Sequence, residues 1–418
     1  MAAAPRTTAL VVLPGLTSAV IAMVGPLPGA LVFAIREDFA FSASDVGFSF
    51  AGFYLASAVV AQFAGRLMAR WSQLTLIRLG LALCAAVTVT VALWSGRWQL
   101  FAAAGICGAA NGLSTPAVNL LIARVVPSHR RGLAFGVRMS AVPGGASLAA
   151  LAAYFVVGHG YDWRAVYAGY AVLCLLTIAA MGWIGPSARS SPEAPQSSAP
   201  WDGPGEARGL GLLATAGLLA ASGGAVLPPF LVEGMVHGGT TPGAAAIFLA
   251  VGSWLGMGAR IVVGVVSDRL PRPQLHLTGV VLSLMAGSFG MLGLALGEGA
   301  VVVGAAAVVT FGLGWAWPGL LHHAAIQMYP YHLVRTTTRL QSGTFLGGLL
   351  GPAVFGLAVT HVSFTWAWLG SSVVMAFAAV AVWGVVRRSQ AVPDAERGEG
   401  SPVQKPDEPA RQSDPRHD

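Results

Sequence analysis

The sequence predicts an all-α, polytopic membrane protein with twelve transmembrane helices. Of its 418 residues, 55% are hydrophobic and 10% are charged, which is too little polar surface for one water-soluble core. A helix needs about 20 mostly apolar residues to cross the hydrocarbon layer, so the length fits about twelve helices. The apolar blocks recur along almost the whole chain and do not alternate with polar residues, which excludes a single anchor and a β-barrel.

Apolar blocks between charged or turn-rich breaks locate the twelve helices. Six fall within residues 1–185 and six within residues 209–387. Residues 186–208 are too polar to cross the membrane and too rich in proline for a long helix, so they predict a linker. Residues 388–418 mix charges with Pro, Gly and Ser, which predicts a disordered tail. The predicted spans are residues 8–34, 46–66, 74–94, 99–122, 133–157, 164–184, 209–232, 242–266, 275–296, 300–326, 336–359 and 364–386.

Basic residues orient these spans. Most of the 24 basic residues lie in loops on one side of the layout, and the positive-inside rule places that side, with both termini and the linker, in the cytoplasm. The formal net charge of +7 therefore reflects topology in the cell membrane, and no soluble basic patch points to nucleic acid. Three arginines fall inside predicted spans, where a charge is costly: Arg138, Arg260 and Arg339.

The two sets of six spans repeat one spacing of about 200 residues. Prolines, glycines and an arginine recur at this distance, which predicts two pseudo-symmetric halves. Transporters with such parallel repeats move the halves about a site near the membrane midplane. The matching pairs are Pro26 and Pro228, Gly65 and Gly264, Gly112 and Gly314, Pro116 and Pro318, and Arg138 and Arg339.

The loop after the eighth span carries the most specific motif, Gly264-Val-Val-Ser-Asp268-Arg269-Leu-Pro-Arg272. This string is similar to the loop motif of the major facilitator superfamily, and the resemblance extends over residues 8–387. The resemblance implies alternating access and a cavity lined mainly by spans 1, 4, 5, 7, 8, 10 and 11. It also implies gating by Gly264, Asp268 and Arg269, with Asp268 contacting Arg131 or the start of the fifth span in the outward-open state.

Arg260 is the candidate for the principal anion anchor. It lies four residues before Gly264, one helical turn further into the membrane. An intramembrane arginine faces water or a partner, and its planar fork fits a carboxylate in two-point contact. The placement resembles the organic-anion members of the superfamily, such as oxalate and monocarboxylate transporters, which implies that Arg260 binds a substrate carboxylate. The alternative is a structural arginine satisfied by backbone carbonyls or by an acidic neighbour.

Other polar residues inside the spans are further candidates for the substrate site. Arg138 and Arg339 either face the cavity or extend their side chains to the cytoplasmic interface. A histidine beyond the kink at Pro318 could titrate and couple a proton to transport, or could pack and bond to the backbone. No Asp or Glu lies deep in the first six spans, which favours an anionic substrate. The remaining candidates are Asn119, His322, His323 and Gln341.

The sequence therefore predicts a secondary transporter of a small organic anion, most simply a carboxylate, that acts as a monomer in the lipid bilayer. A drug or metabolite efflux antiporter of the same fold is the alternative. An enzyme is not expected, because neither paired acids nor a metal constellation is evident. No cofactor, metal or nucleic acid is predicted as a partner. Import, export, proton coupling and exchange are all compatible with the pattern.

Overall fold

The computed structural model describes residues 4–94, 96–126, 131–183, 204–267, 272–329 and 333–391. These residues form helices and short connections without any strand, so the all-α class is confirmed for this part of the chain. The helices are α1 Ala4–Met23, α2 Leu27–Ala30, α3 Val32–Asp38, α4 Ala43–Met68, α5 Gln73–Leu93, α6 Arg97–Val125, α7 Arg131–Met139, α8 Ala141–Gly158, α9 Arg164–Ala180, α10 Pro204–Gly224, α11 Leu227–His237, α12 Pro242–Ser267, α13 Pro273–Leu296, α14 Ala300–Gly312, α15 Trp317–Met328, α16 Leu333–His361 and α17 Phe364–Ala391.

Length and composition mark this fold as a multi-pass membrane protein. Within the described ranges, eight helical segments are long and apolar enough to cross a membrane, and the bent pair α7 and α8 makes a ninth. The helix α9 is also apolar but shorter. Large apolar side chains such as Phe289, Val301 and Trp366 are exposed on the outer surface. Hydrocarbon rather than water is the solvent that such a surface fits.

Four of the predicted spans are broken into shorter helices. Each of these spans has one break with a proline in it or just after it: between α1 and α2, between α7 and α8, between α10 and α11, and between α14 and α15. The proline lacks the N–H that would bond to the carbonyl four residues earlier. The first span is interrupted again at Leu31, between α2 and α3. The helices α7 and α8 meet at an angle of 41°. The prolines at the four breaks are Pro26, Pro143, Pro228 and Pro318.

The breaks follow the sequence repeat only in part. Those after α1 and α10 occupy equivalent positions, but the break before Pro318 has no counterpart, since α6 continues through Pro116. Two glycines, Gly312 and Gly314, precede Pro318, whereas Gly112 alone occupies the matching positions before Pro116. Because glycine weakens a helix, the backbone breaks before Pro318, whereas α6 stays continuous at Pro116. The two halves therefore differ in backbone where the sequence predicts similarity.

Two predicted boundaries also differ from the structure. The helix α10 begins at Pro204, inside the segment 186–208 that was expected to be a linker. Proline at a helix start loses no hydrogen bond, because the first N–H groups have no intrahelical partner anyway. The helix α17 continues to Ala391, past the predicted start of the tail at residue 388. The rest of the predicted linker and tail lies outside the described residues.

Small residues let the helices approach closely. A Cβ atom placed on Gly347 or Gly351 of α16 would overlap the backbone of α10 at Leu218 and Ser222. The same holds for Gly29 of α2, which lies against the backbone of α11. Besides α2 with α11, the contacts that join the two parts of the chain run from α4 to α16 and from α7 and α8 to α12. Close backbone packing of this kind is typical of helices in membranes.

One end of the molecule, which we call the Arg36 end, carries a group of ion pairs. Arg36 of α3 lies 2.7 Å from Glu233 of α11 and so joins the first and second parts of the chain. Arg97 pairs with Asp45 at 2.8 Å, and Asp45 also completes a capping box at the start of α4. Arg164 pairs with Asp38 and Asp162 at the start of α9.

Candidate functional site

A cavity of about 120 Å³ lies between the two parts of the chain. Its wall comes from the seven spans expected to line it and, in addition, from α4. Aromatic and other apolar side chains form most of the wall, with a small number of polar groups among them. The lining residues are Ser18, Ala22, Phe50, Phe53, Tyr54, Asn111, Thr115, Arg138, Met139, Ala141, Val142, Ala221, Ala225, Arg260, Trp315, Trp317, Pro318, His322, Gln341, Thr344, Phe345 and Gly348.

Arg138 reaches this wall from the last turn of α7. Its side chain is 9% exposed, and its Nη1 atom lies 3.6 Å from the sulfur of Met139, a weak acceptor. Its Nε atom is buried and has no hydrogen-bond partner in the described part of the chain. Burial of a guanidinium without a counter-ion carries a free-energy penalty of roughly several kcal/mol. Arg138 therefore presents unused donors, and a positive charge, to whatever occupies the cavity.

Arg260 of α12 lines the same cavity, but backbone carbonyls engage its guanidinium. Nε and Nη2 donate to the carbonyl oxygen of Trp315 at 3.0 and 2.6 Å. Nη1 donates to the carbonyl oxygen of Met139 at 2.5 Å, and the guanidinium carbon lies 5.0 Å from the centre of the Trp315 ring. These contacts match the structural alternative stated for Arg260. Three of its five N–H groups are used, so fewer remain for a ligand than at Arg138.

The breaks in two helices explain why these carbonyls are available. The carbonyl of Met139 would normally accept from the N–H four residues later, but that residue is Pro143, which has no N–H. The carbonyl of Trp315 lies in the turn between α14 and α15, outside the hydrogen-bond ladder of either helix. Arg260 satisfies both groups at once. It thereby ties a break in the first part of the chain to a break in the second.

His322 and Gln341 are the other predicted site residues on the wall. Nδ1 of His322 lies 2.8 Å from the carbonyl oxygen of Pro318, and Nε2 is buried without a partner in the described residues. Gln341 reaches the cavity from α16. The cavity thus brings together Arg138, Arg260, His322 and Gln341 out of the seven substrate-site candidates.

The other three candidates lie elsewhere. Arg339 is exposed on α16, so the repeat that pairs it with Arg138 does not give the two arginines the same surroundings. Asn119 is partly buried on α6 away from the cavity wall. His323 is not among the lining residues, and it contacts His276 and Gln327.

Of the predicted gating residues, only Gly264 is fully described. It packs against Gly136, because a Cβ atom placed on Gly136 would lie 3.4 Å from the Cα atom of Gly264. This contact brings α7 and α12 together next to Arg260. Asp268 and Arg269 lie outside the described residues, as does the side chain of Arg131, so their gating role stays a prediction.

Sequence reasoning missed the aromatic wall. Tyr54 and Phe345 lie with their ring centres 6.2 Å apart, and Phe50 lies 5.3 Å from Tyr54. Trp315 and Trp317 line the side formed by α15 and the preceding turn. Aromatic residues occur in every predicted span, and no spacing separates those that face a cavity from those that face lipid. The kink at Pro318 was the one signal that pointed to this region.

The charges on the wall have one sign. Arg138 and Arg260 are cationic, and no Asp or Glu is among the lining residues of the described chain. The polar groups Asn111, Thr115 and Ser57 bond to one another rather than to either guanidinium. In a site with a low dielectric constant, two uncompensated positive charges attract an anion strongly. The described part of the wall can therefore attract a small anion.

Comparison with known proteins points to a family of membrane transporters. The model of the Major Facilitator Superfamily matches residues 12–328, which is more than half of the chain. An uncharacterized MFS-type transporter of Mycobacterium tuberculosis, Rv1250, is 38% identical over 84 residues. That match covers 20% of this chain and only 14% of the relative. Both matches are to membrane transporters of this superfamily.

Proposed function

The chain belongs to the major facilitator superfamily, and from that premise we propose that it transports a small organic anion, in particular a carboxylate, by alternating access. The proposal includes twelve transmembrane helices in two six-helix halves, residues 1–185 and 209–387, that act as a monomer. It also places both termini on the cytoplasmic side of the cell membrane. The positive-inside distribution of arginine and the helix breaks shared by the two halves support this arrangement.

The observation that carries the anion proposal is the guanidinium of Arg138. It is buried, it lines the cavity, and its one hydrogen bond within the described residues goes to a thioether. A carboxylate would accept two parallel N–H bonds from its planar fork and would neutralise its charge. Arg138 is therefore the principal anchor in this proposal, in place of Arg260.

Arg260 has a supporting role in the same proposal. Its contacts with Met139 and Trp315 hold two helix breaks in position on either side of the cavity. Its charge adds to the positive potential that attracts the anion, and its remaining N–H groups are open to one further acceptor. Gln341 and His322 supply the polar contacts that complement the two arginines.

The size of the cavity argues against the efflux alternative. Sites for drug-sized ligands have volumes of roughly 300–1,000 Å³, whereas this cavity has about 120 Å³. An engineered cavity of roughly 150 Å³ holds one benzene molecule. The volume therefore favours a substrate of a few carbon atoms over a drug.

A thermal-shift screen followed by two variants tests the proposal. Purified full-length protein is heated with carboxylates, amino acids, sugars and cationic drugs, because a ligand of the folded state raises its stability. We expect stabilisation by small carboxylates in the wild type and in Arg339→Gln, the exposed repeat counterpart. Arg138→Gln is expected to weaken carboxylate binding by roughly 30-fold, since hydrogen bonds to charged groups contribute about 1.5–3 kcal/mol.

Two results would overturn the proposal. Stabilisation by sugars or cationic drugs alone would show that the cavity does not select anions. Carboxylate binding that is unchanged in Arg138→Gln would show that Arg138 is not the anchor. The unfolding temperature of each variant without ligand controls for damage to the fold, and uptake of the labelled carboxylate into proteoliposomes then links binding to transport.

A further inference from the structure

The imidazole of His322, which lines the cavity, has one nitrogen engaged and the other without a hydrogen-bond partner among the described residues. Nδ1 lies 2.8 Å from the carbonyl oxygen of Pro318. A carbonyl oxygen can only accept, so the proton of this hydrogen bond is on Nδ1. In the neutral ring Nε2 is then an acceptor. This buried atom has no hydrogen-bond partner among the residues that the structure describes.

The cavity therefore contains unmatched groups of two kinds. Arg138 presents donors without acceptors, and His322 presents an acceptor without a donor. The two side chains line the same cavity. A buried polar atom without a partner is unfavourable, so a ligand that bonds to both residues is stabilised by two hydrogen bonds that the protein alone does not make. Such a ligand needs a carboxylate and, near it, a hydrogen-bond donor.

The rest of the wall defines the remainder of the ligand. Phe50, Tyr54, Phe345 and Trp315 surround the polar groups with aromatic surface. Their rings exclude water and favour an apolar group over a second charge. A volume of about 120 Å³ leaves room for only a few carbon atoms beyond the carboxylate.

We propose that the cavity binds a short hydroxy-monocarboxylate with an apolar chain. Its carboxylate binds Arg138, its hydroxyl donates to Nε2 of His322, and its chain packs against Phe50 and Trp315. This inference rests on the anion transport proposed above and names the substrate class. In this proposal His322 determines specificity. Its Nε2 atom accepts a hydrogen bond from a substrate hydroxyl, and a keto oxygen cannot donate one.

Three acids with one carbon skeleton test this specificity: α-hydroxyisovalerate, α-ketoisovalerate and isovalerate. Their dissociation constants are measured with purified full-length protein in nanodiscs. We expect the hydroxy acid to bind about 10-fold more tightly than the other two, which corresponds to one net hydrogen bond. In His322→Phe the three constants are expected to become equal within about 2-fold, since the acceptor is gone.

Two further variants test whether the preference for the hydroxy acid depends on the hydrogen-bond acceptor of His322 or on the shape of its side chain. His322→Gln keeps an acceptor oxygen and is expected to retain part of the preference for the hydroxy acid. His323→Phe is the matched control, because the neighbouring histidine contacts His276 and Gln327 instead of the cavity. Its preference should equal that of the wild type.

The outcomes distinguish this inference from the proposed function. If the wild type binds none of the three acids or any other carboxylate, anion transport itself is contradicted. Equal binding of the three acids contradicts the role of His322 and leaves anion transport intact. Tighter binding of the keto acid would mean that Nε2 donates, which also overturns the inference. The wild-type ratios decide the question even if His322→Phe fails to fold.

Discussion

Arginines at the Arg36 end and in the cavity have opposite surroundings. At the Arg36 end, Arg36, Arg97 and Arg164 each pair with a carboxylate at 2.7–2.8 Å. In the cavity, Arg138 and Arg260 are more deeply buried, yet no carboxylate lies within ion-pair distance of either in the described chain. The need for a counter-ion is greater in the cavity, where less water screens the charge.

This difference indicates which charges hold the fold together and which are available for a ligand. An arginine that pairs with a protein carboxylate has its counter-ion in every state of the transporter that keeps the pair. An arginine without one gains most from a counter-ion that arrives with the substrate. Arg260 lies between these cases, because backbone carbonyls satisfy most of its donors and leave its charge without a counter-ion.

The largest effect that we expect is a difference in protein stability between substitutions of the two cavity arginines. Arg260→Met leaves the carbonyls of Met139 and Trp315 without donors and should lower the free energy of unfolding by roughly 2–6 kcal/mol, at about 1–3 kcal/mol for each buried group. Arg138→Met removes no backbone partner and should leave the stability of the ligand-free protein unchanged or higher. Denaturant unfolding in detergent measures both. Equal losses in the two variants would contradict the distinction.

Pro143→Ala supplies the control for the Arg260 prediction. The alanine provides an N–H group for the carbonyl of Met139, so this carbonyl no longer depends on Arg260. In a double-mutant cycle, Arg260→Met should then cost about 1 kcal/mol less than in the wild type. Strict additivity of the two changes would show that the break at Pro143 and Arg260 are independent.

A carboxylate placed in the cavity should make it resemble the Arg36 end. Gln341→Glu introduces an acid of almost the same shape on the wall of the cavity that Arg138 also lines. An internal counter-ion competes with the substrate, so binding of a small carboxylate should weaken roughly 30-fold, the equivalent of about 2 kcal/mol. Gln341→Leu, which removes the polar group without adding charge, should have a smaller effect. Equal effects of Glu and Leu would show that charge compensation is not the cause.

The smallest effect concerns a paired carboxylate at the Arg36 end. The indole of Trp163 donates to Asp38, and together with Arg164 it holds the pKa of this carboxyl below its ordinary value of 3.8. A lowered pKa stabilises the folded state above the ordinary pKa and loses this contribution as the pH falls through the lowered value. Asp38→Asn should therefore be slightly less stable than the wild type at pH 7 and approach it as the pH falls below 3.8.

Thermal unfolding at the two pH values measures the Asp38 effect. Glu37→Gln is the matched control, because the neighbouring carboxylate is exposed and should show no such convergence. A stability difference between Asp38→Asn and the wild type that stays constant with pH would mean that the loss comes from packing rather than from the charge.

Composition and hydropathy were sufficient to predict a helical, multi-pass membrane protein. The number of apolar blocks and the resemblance of the loop at Gly264 were sufficient to predict the family, which the comparison confirms. Prolines indicated where helices deviate, as at Pro26 and Pro228, because the missing N–H acts locally. The sequence also identified three arginines as exceptional, since charge inside an apolar span is costly. In the structure Arg138 and Arg260 are buried, whereas Arg339 is exposed.

Tertiary structure alone decided what each arginine contacts. The repeat predicts equivalent places for Arg138 and Arg339, yet one lines the cavity and the other is exposed, because α7 ends beside Pro143 while α16 continues past the equivalent residue, Thr344. Arg260 satisfies carbonyls from two breaks that are far apart in sequence. Such contacts depend on how helices pack across the molecule, and no local pattern of residues determines that packing.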